Sequence, residues 1–325
     1  MKKVSYIVIC GLVVLALLNL FFLFYPFQNQ SKSVIIPPHS NSIQVASILK
    51  DNGIIKNKFY FLIIGQIFKV FYNLRAGEYN FDPRVSTWMV LGKLARGEIT
   101  IYRITIPEGW TALDIGNLLA RAELIDLKKF FNLVNDANFI IGSYRFPKKL
   151  QGYLFPDTYY FMKGANSENA IIEQMLSRFK KKVIDAYGEE IKAKGYSLEK
   201  IVTLASLIEK EAIVGFERPV IAGVFYNRLK KKIRLQCDPT VRYALGKFDG
   251  KLTTEDLNVK SPFNTYIHTG LPPQPICNPG IASIKSALQP LDVDYLYFVS
   301  KNDGTHHFAK SYEEHKQAKK KYQGN

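Results

Sequence analysis

Cysteine is scarce in this 325-residue chain: Cys10, Cys237 and Cys277 are the only three, and no two form a C-x-x-C pair. That excludes a Cys-rich zinc fold, a thioredoxin-type redox motif and a small domain built on disulfides. Histidine is nearly as sparse. His39, His268, His306, His307 and His315 lack the two-His-plus-carboxylate spacing of a zinc enzyme, so no metal site is expected. No Walker loop and no G-x-G-x-x-G occurs, which removes the usual phosphate cradles, and no cofactor is expected. Thr203 and Ser206 lack the G-x-S-x-G elbow of a hydrolase nucleophile. Acidic residues are also in deficit, 28 against 44 Lys plus Arg, for a net charge of +16. Such a field attracts anionic lipid, acidic polymers or nucleic acid. No stretch matches a nucleic-acid-binding module, however, and the lysine runs at 181–182, 230–232 and 319–321 also suit solvated helix faces.

Apolar residues are not lacking: 47% of the chain is hydrophobic, enough for a packed core. Lys2 and Lys3 precede an apolar run, 4–27, broken only by Ser5, Gly11, Asn19 and Pro26. About 20 such residues span a hydrocarbon layer roughly 30 Å thick. The run ends in an aromatic cluster at 21–27, without the small-residue exit of a cleaved signal peptide. Residues 1–27 therefore read as a cytoplasmic stub and a retained anchor in the cytoplasmic membrane. The N-terminus is expected inside, and everything after about residue 30 outside.

Residues 28–41, polar and holding Pro37-Pro38, read as a linker. Residues 42–106 read as a small α+β unit, with helical spacing at 42–52, 59–72 and 87–95 and alternation at 99–106. Residues 107–195 read as a connecting helical region, including one long helix over 167–187. From 196 to 325, helices alternate with Gly/Pro-rich loops, closed by a strand at 295–300. The whole is α+β.

The segment 197–212 carries the strongest chemical signal. At 100° per residue, Thr203, Ser206 and Lys210 share a polar side, while Ile201, Leu204, Leu207, Ile208 and Ala212 form an apolar one. Glu209 lies at the border and Glu211 within the apolar side. Glutamate is rarely buried unpartnered. Burial raises its pKa, which suits a general acid near neutral pH. The competing reading is a structural ion pair with Arg218, Arg228 or Arg234. Further on, loops at 236–243, 261–266 and 270–280 are rich in amides, hydroxyls and rings, groups that suit sugar surfaces and rigid turns alike.

Seven stretches carry a resemblance: AGEYNF at 76–81, GYLFPDT at 152–158, LASLIEKEA at 204–212, VFYNRL at 224–229, LQCDPTVRY at 235–243, SPFNTY at 261–266 and GLPPQPICNPG at 270–280. In that order they resemble the YceG-like, or MltG, family of endolytic murein transglycosylases. The sequence departs from the family pattern at Gln274, Cys237 and Cys277. The resemblance implies a LysM-like small subdomain and a catalytic domain that cuts the MurNAc–GlcNAc β-1,4 bond of nascent peptidoglycan. It also implies Glu211 as the acid/base. Gln236, Asp238, Asn264, Tyr266 and Asn227 are the candidate substrate-binding residues. Glycan strands, the cytoplasmic membrane and peptidoglycan synthases are the expected partners, with no nucleic acid. Ordinary glycosidases need two carboxylates. A lytic transglycosylase needs one, because the sugar's own C6 hydroxyl attacks C1 and leaves a 1,6-anhydro end. The alternatives are a hydrolase pairing Glu211 with Asp238, and a glycan-binding scaffold without activity.

Overall fold

The computed structural model describes residues 30–324 without a break, together with 9–11, 13, 14, 17, 21 and 23–26. Much of the apolar run 4–27, and with it the expected anchor, lies outside the described residues. Among those described, no helix is long and apolar enough to cross a membrane. The chain divides into two compact units, Met1–Arg103 with Tyr160–Ser167, and Ile104–Tyr159 with Glu168–Asn325.

In the smaller unit, β1 (Lys32–Ile36) is followed by α1 (Ser42–Asp51) and α2 (Lys58–Ile67). Asn41 and Gln44 form a reciprocal cap at the start of α1, and Asn57 caps α2. A 3-10 turn at Val70–Asn73 leads to β2 (Gly77–Phe81) and α3 (Thr87–Arg96). Gly97, at φ 61°, ends α3 in the left-handed conformation that glycine adopts without cost. β1 and β2 pair antiparallel, Lys32 opposite Phe81 and Ile36 opposite Gly77. Val34, Ile36, Tyr79 and Phe81 face inward onto Val45, Leu49, Phe61, Leu91 and Leu94. The segment 28–41, expected as a linker, thus contains β1. Its partner lies 45 residues downstream, so nothing local to the segment announces a strand.

The chain crosses between the units in β3 (Tyr102–Thr105) and returns after α4 (Ala112–Arg121), α5 (Leu127–Asn135) and a short ribbon of β4 (Ile140–Ile141) and β5 (Tyr144–Arg145). β6 (Thr158–Phe161) is the return strand and pairs with β3. The helix expected over 167–187 is α6 (Glu168–Phe179), which continues through a π-helical turn, Lys180–Ile184, into α7 (Asp185–Ala193). Then come α8 (Leu198–Glu211), α9 (Arg218–Lys230), α10 (Asp238–Leu245), α11 (Thr254–Leu257) and α12 (Ile281–Leu288). A hairpin of β7 (Tyr297–Ser300) and β8 (His306–Ala309) and a terminal helix, α13 (Tyr312–Gln323), complete the larger unit.

Residues 107–159, expected as part of a connecting region over 107–195, belong to the same unit as the helices that follow. Asn278, fully buried, accounts for much of this. Its side-chain amide donates to the Trp110 carbonyl at 2.9 Å, and its Oδ1 accepts from the Gly152 and Leu154 amides at 2.9 and 3.0 Å. α8 forms the unit's axis: Ser197 caps it and Ile201 through Ile208 are all buried. Each Leu or Ile removed from water there contributes about 2 kcal/mol, which fixes the helix against slippage.

Candidate active site

The last turn of α8 carries both glutamates, and their i, i+2 spacing sends them in different directions. Glu209 is structural: it accepts the Gly280 amide at 3.0 Å and the Arg218 guanidinium at 3.4 Å. Thr203 and Ser206, on the side that periodicity marks as polar, are buried. The Ser206 hydroxyl donates to the Thr203 carbonyl at 2.7 Å and accepts the Ile276 amide at 3.0 Å. That contact fastens the 270–280 loop to α8, so a small hydroxyl serves the core.

Glu211 opens instead onto a polar cleft of about 430 Å³, shared with Arg228, Gln236, Asp238, Tyr266, Tyr297 and His306. It is partly exposed to the cleft, but dense packing around its carboxyl disfavours the anion. Burial pushes its pKa up to about 7. The Asp238 charge pushes the same way, while the Cys237 thiol, which hydrogen-bonds the carboxyl, and the Arg228 charge oppose it. None of the three arginines offered as structural partners forms an ion pair with Glu211 among the described residues. Arg218 is committed to Glu209. Arg234 donates to the Tyr266 carbonyl at 3.1 Å. Arg228, itself buried, donates to the carbonyls of Leu296, Arg234 and Leu235 at 2.5, 3.0 and 2.8 Å, and its guanidinium lies 4.9 Å from the Tyr297 ring centre.

Arg228 thus clamps the loop before α10. Within that loop Gln236 has φ 51°, a left-handed conformation uncommon for a side chain larger than glycine. Two threonines hold it there. The Gln236 amide donates to the Thr265 carbonyl at 3.1 Å and the Cys237 amide to the Thr265 hydroxyl at 3.0 Å. The Thr240 hydroxyl donates to the Cys237 carbonyl at 2.6 Å. The result carries Gln236 and Asp238 to the cleft on one side of Glu211. The Tyr266 hydroxyl donates to Asp238, and burial together with that carboxylate holds the phenol above its ordinary range.

Of the six residues singled out from sequence, the structure brings four together: Glu211, Gln236, Asp238 and Tyr266. Asn264 and Asn227, the other two substrate-binding candidates, are not among the residues that line the cleft. Asn264 is fully buried; its amide donates to the Leu257 and Val259 carbonyls, both at 2.9 Å, and its Oδ1 accepts the Tyr266 amide. Asn227 donates to the Val293 and Tyr295 carbonyls at 2.6 and 3.0 Å. Both amides are committed to backbone carbonyls in part-buried surroundings. Cys237 and Cys277 are separate buried thiols, and Cys277 Sγ donates to the Ser206 carbonyl at 3.3 Å.

Among the cleft residues that escaped the sequence reading as site residues are Arg228, Tyr297 and His306. Arg228 continues the buried spacing of Ile221, Val224 and Phe225 along α9, a signal that could have marked it. Tyr297 and His306 come from the terminal hairpin, for which no motif exists. His306 Nδ1 lies 2.7 Å from the buried Glu217 carboxylate, which also accepts the His306 amide at 2.8 Å. No three His, Cys, Asp or Glu side chains converge as metal ligands would among the described residues.

An open polar cleft, with one carboxyl able to hold or release a proton near neutral pH, is what an acid/base enzyme acting on a polar polymer requires. The chain belongs to the YceG-like family, whose profile matches residues 34–321. It is 36% identical over 315 residues to the endolytic murein transglycosylase of Bacillus subtilis strain 168, covering 91% of this chain and 87% of that protein. The endolytic murein transglycosylase of Streptococcus pneumoniae D39 is 31% identical over 325 residues. That match takes in 89% of this chain but 58% of the pneumococcal protein, which is much longer. The crystal structure of a yceG-like protein from Listeria monocytogenes matches with a TM-score of 0.60 at 34% identity, covering 89% of this chain and 99% of that one.

Proposed function

We propose that this chain is an endolytic lytic transglycosylase that cleaves the MurNAc–GlcNAc β-1,4 bond of nascent peptidoglycan. The observation that carries the reading is Glu211: a carboxyl with a pKa of about 7, with no ion pair among the described residues, at the wall of a polar cleft. Protonated Glu211 gives its hydrogen to the glycosidic oxygen as the C1–O bond breaks. The C6 hydroxyl of the same MurNAc attacks C1, and the Glu211 carboxylate takes that hydroxyl's proton. Protons balance, water is not consumed, and the new end is 1,6-anhydro. Gln236 and Asp238 line the sugar path on one side, with Tyr266 fixing Asp238. Arg228 holds the loop that carries them.

The finer features belong to the same proposal. The smaller unit acts as a LysM-like module that holds glycan. Residues 4–27 anchor the chain in the cytoplasmic membrane with its catalytic unit outside, within reach of the synthases that extrude new strands. Asp238 beside Glu211 supplies the one specific reason to consider hydrolysis, since two carboxylates could activate water. Digestion of uncrosslinked glycan by the purified chain, read by mass spectrometry, tests both. Anhydro-terminated fragments that vanish with Glu211→Gln are the expected result. Fragments one water heavier would establish a hydrolase, and a Glu211→Gln protein of full activity would remove Glu211 from the chemistry.

A further inference from the structure

The smaller unit leaves one helix face unexplained. α2 is apolar on both sides: Phe61 and Gly65 pack into the core, while Phe59, Ile63 and Ile67 form an i, i+4, i+8 stripe exposed by 68, 59 and 64%. Ile43 of α1 lines a shallow groove with Ile63 and Ile67, and Phe68 and Tyr72, next along the chain, are also exposed. A helix hydrophobic all round is normally covered on every side, and an apolar patch of this kind marks an interaction site.

Three observations name what covers it. Between Ile54 and Arg75 the chain has Lys56, Lys58, Lys69 and Arg75 and not one acidic residue. An apolar stripe whose own segment carries charges of positive sign alone is the pattern of a helix lying in the interface of an anionic bilayer. Next, Phe68 meets Trp88 edge-on at 4.9 Å, and Trp88 meets Phe24, from the aromatic end of the apolar run, at 6.3 Å. Amphipathic rings favour the headgroup level. Finally, Pro26 and Lys32 are six residues apart, at most about 20 Å of extended chain, so the proposed anchor keeps this unit beside the lipid surface.

We infer that α2 lies in the headgroup boundary of an anionic membrane, with Phe59, Ile63 and Ile67 dipped toward the acyl chains and the flanking cations among the phosphates. The contact is additional to the anchor and independent of the catalytic chemistry. It fixes the small unit on the bilayer surface instead of leaving it to swing on a short tether.

The two tryptophans, Trp88 and Trp110, supply a test. The full chain carrying Trp110→Phe, with Trp88 as its sole indole, is reconstituted into vesicles containing phosphatidylglycerol, with and without bromine on the acyl chains. Trp88 emission is expected to fall at least about twofold with brominated lipid, and Ile63→Asp with Ile67→Asp to abolish most of that loss. Both aspartates replace exposed residues, so the fold survives. Retention on vesicles after an alkaline carbonate wash reports the anchor separately. Protein that the wash strips off, yet whose Trp88 was quenched before it, supports docking while refuting the anchor. Protein that stays bound with unquenched Trp88 overturns the inference. So does equal quenching in parent and aspartate variant, and so does a variant that loses only self-association in detergent, which would assign the face to a second copy.

Discussion

Glu211 is held where three influences disfavour its anion: burial, the nearby Asp238 charge and the C-terminal end of α8, where unpaired carbonyls concentrate negative potential. Its pKa rises from 4.5 to about 7 on folding. A carboxyl whose folded pKa is raised costs no stability below about pH 4.5, where it is protonated in both states. The cost grows as pH rises from there and is complete above about pH 7. It amounts to about 2–3 kcal/mol after allowance for partial exposure. Glu211→Gln is therefore expected to stabilise the protein at pH 8 and to leave it unchanged at pH 4. Thermal melts of the two proteins across that range check this; an equal shift at both pH values would mean that the carboxyl is not strained by its surroundings.

At the scale of elements, the cleft exists because α8, the loop before α10 and the β7–β8 hairpin are tied to one another through α9. Asn227 is one of those ties. Asn227→Ala leaves the Val293 and Tyr295 carbonyls without their donor, at a cost of about 1–3 kcal/mol. The melting temperature is expected to fall while KM for glycan in the folded enzyme stays as it was; a raised KM at unchanged stability would return Asn227 to the substrate. That ambiguity shows where sequence reading stops. An amide suits a sugar hydroxyl and a backbone carbonyl equally, so Asn227 and Asn264 could not be sorted from Gln236 before the chain was folded. Glu211 stood apart in the sequence, because an acid on the apolar side of a capped helix violates its own periodicity. α8 and its Ser197 cap were equally legible, being set by residues within one or two turns. β1 was not, since its pairing and burial are supplied by β2, and the π-helical turn at Lys180–Ile184 has no local code.

Across the whole molecule, long-range ties decide what becomes a unit. The expected division near residue 195 follows a change of texture, but folding joins 104–159 to the final 158 residues and leaves 160–167 with the small unit. Asn278 is central to that union. Asn278→Ala is expected to remove on the order of 3 kcal/mol by orphaning the Gly152 and Leu154 amides at once, while the Trp110 carbonyl keeps the backbone amide of residue 278 as its donor, and to abolish the cooperativity of the larger unit's melt. Calorimetry checks it, and a single sharp transition at unchanged temperature would refute it.

That one amide also sets a timetable. A polypeptide is made, and threaded through any pore, from its N-terminus, yet the groups that Asn278 satisfies, at 110, 152 and 154, come out more than 120 residues before it. Until the last part of the chain arrives, those segments wait unfastened and open to proteases and chaperones. A truncated product that ends before Asn278 therefore carries the whole of α8 without the ties that join 110, 152 and 154 to its unit.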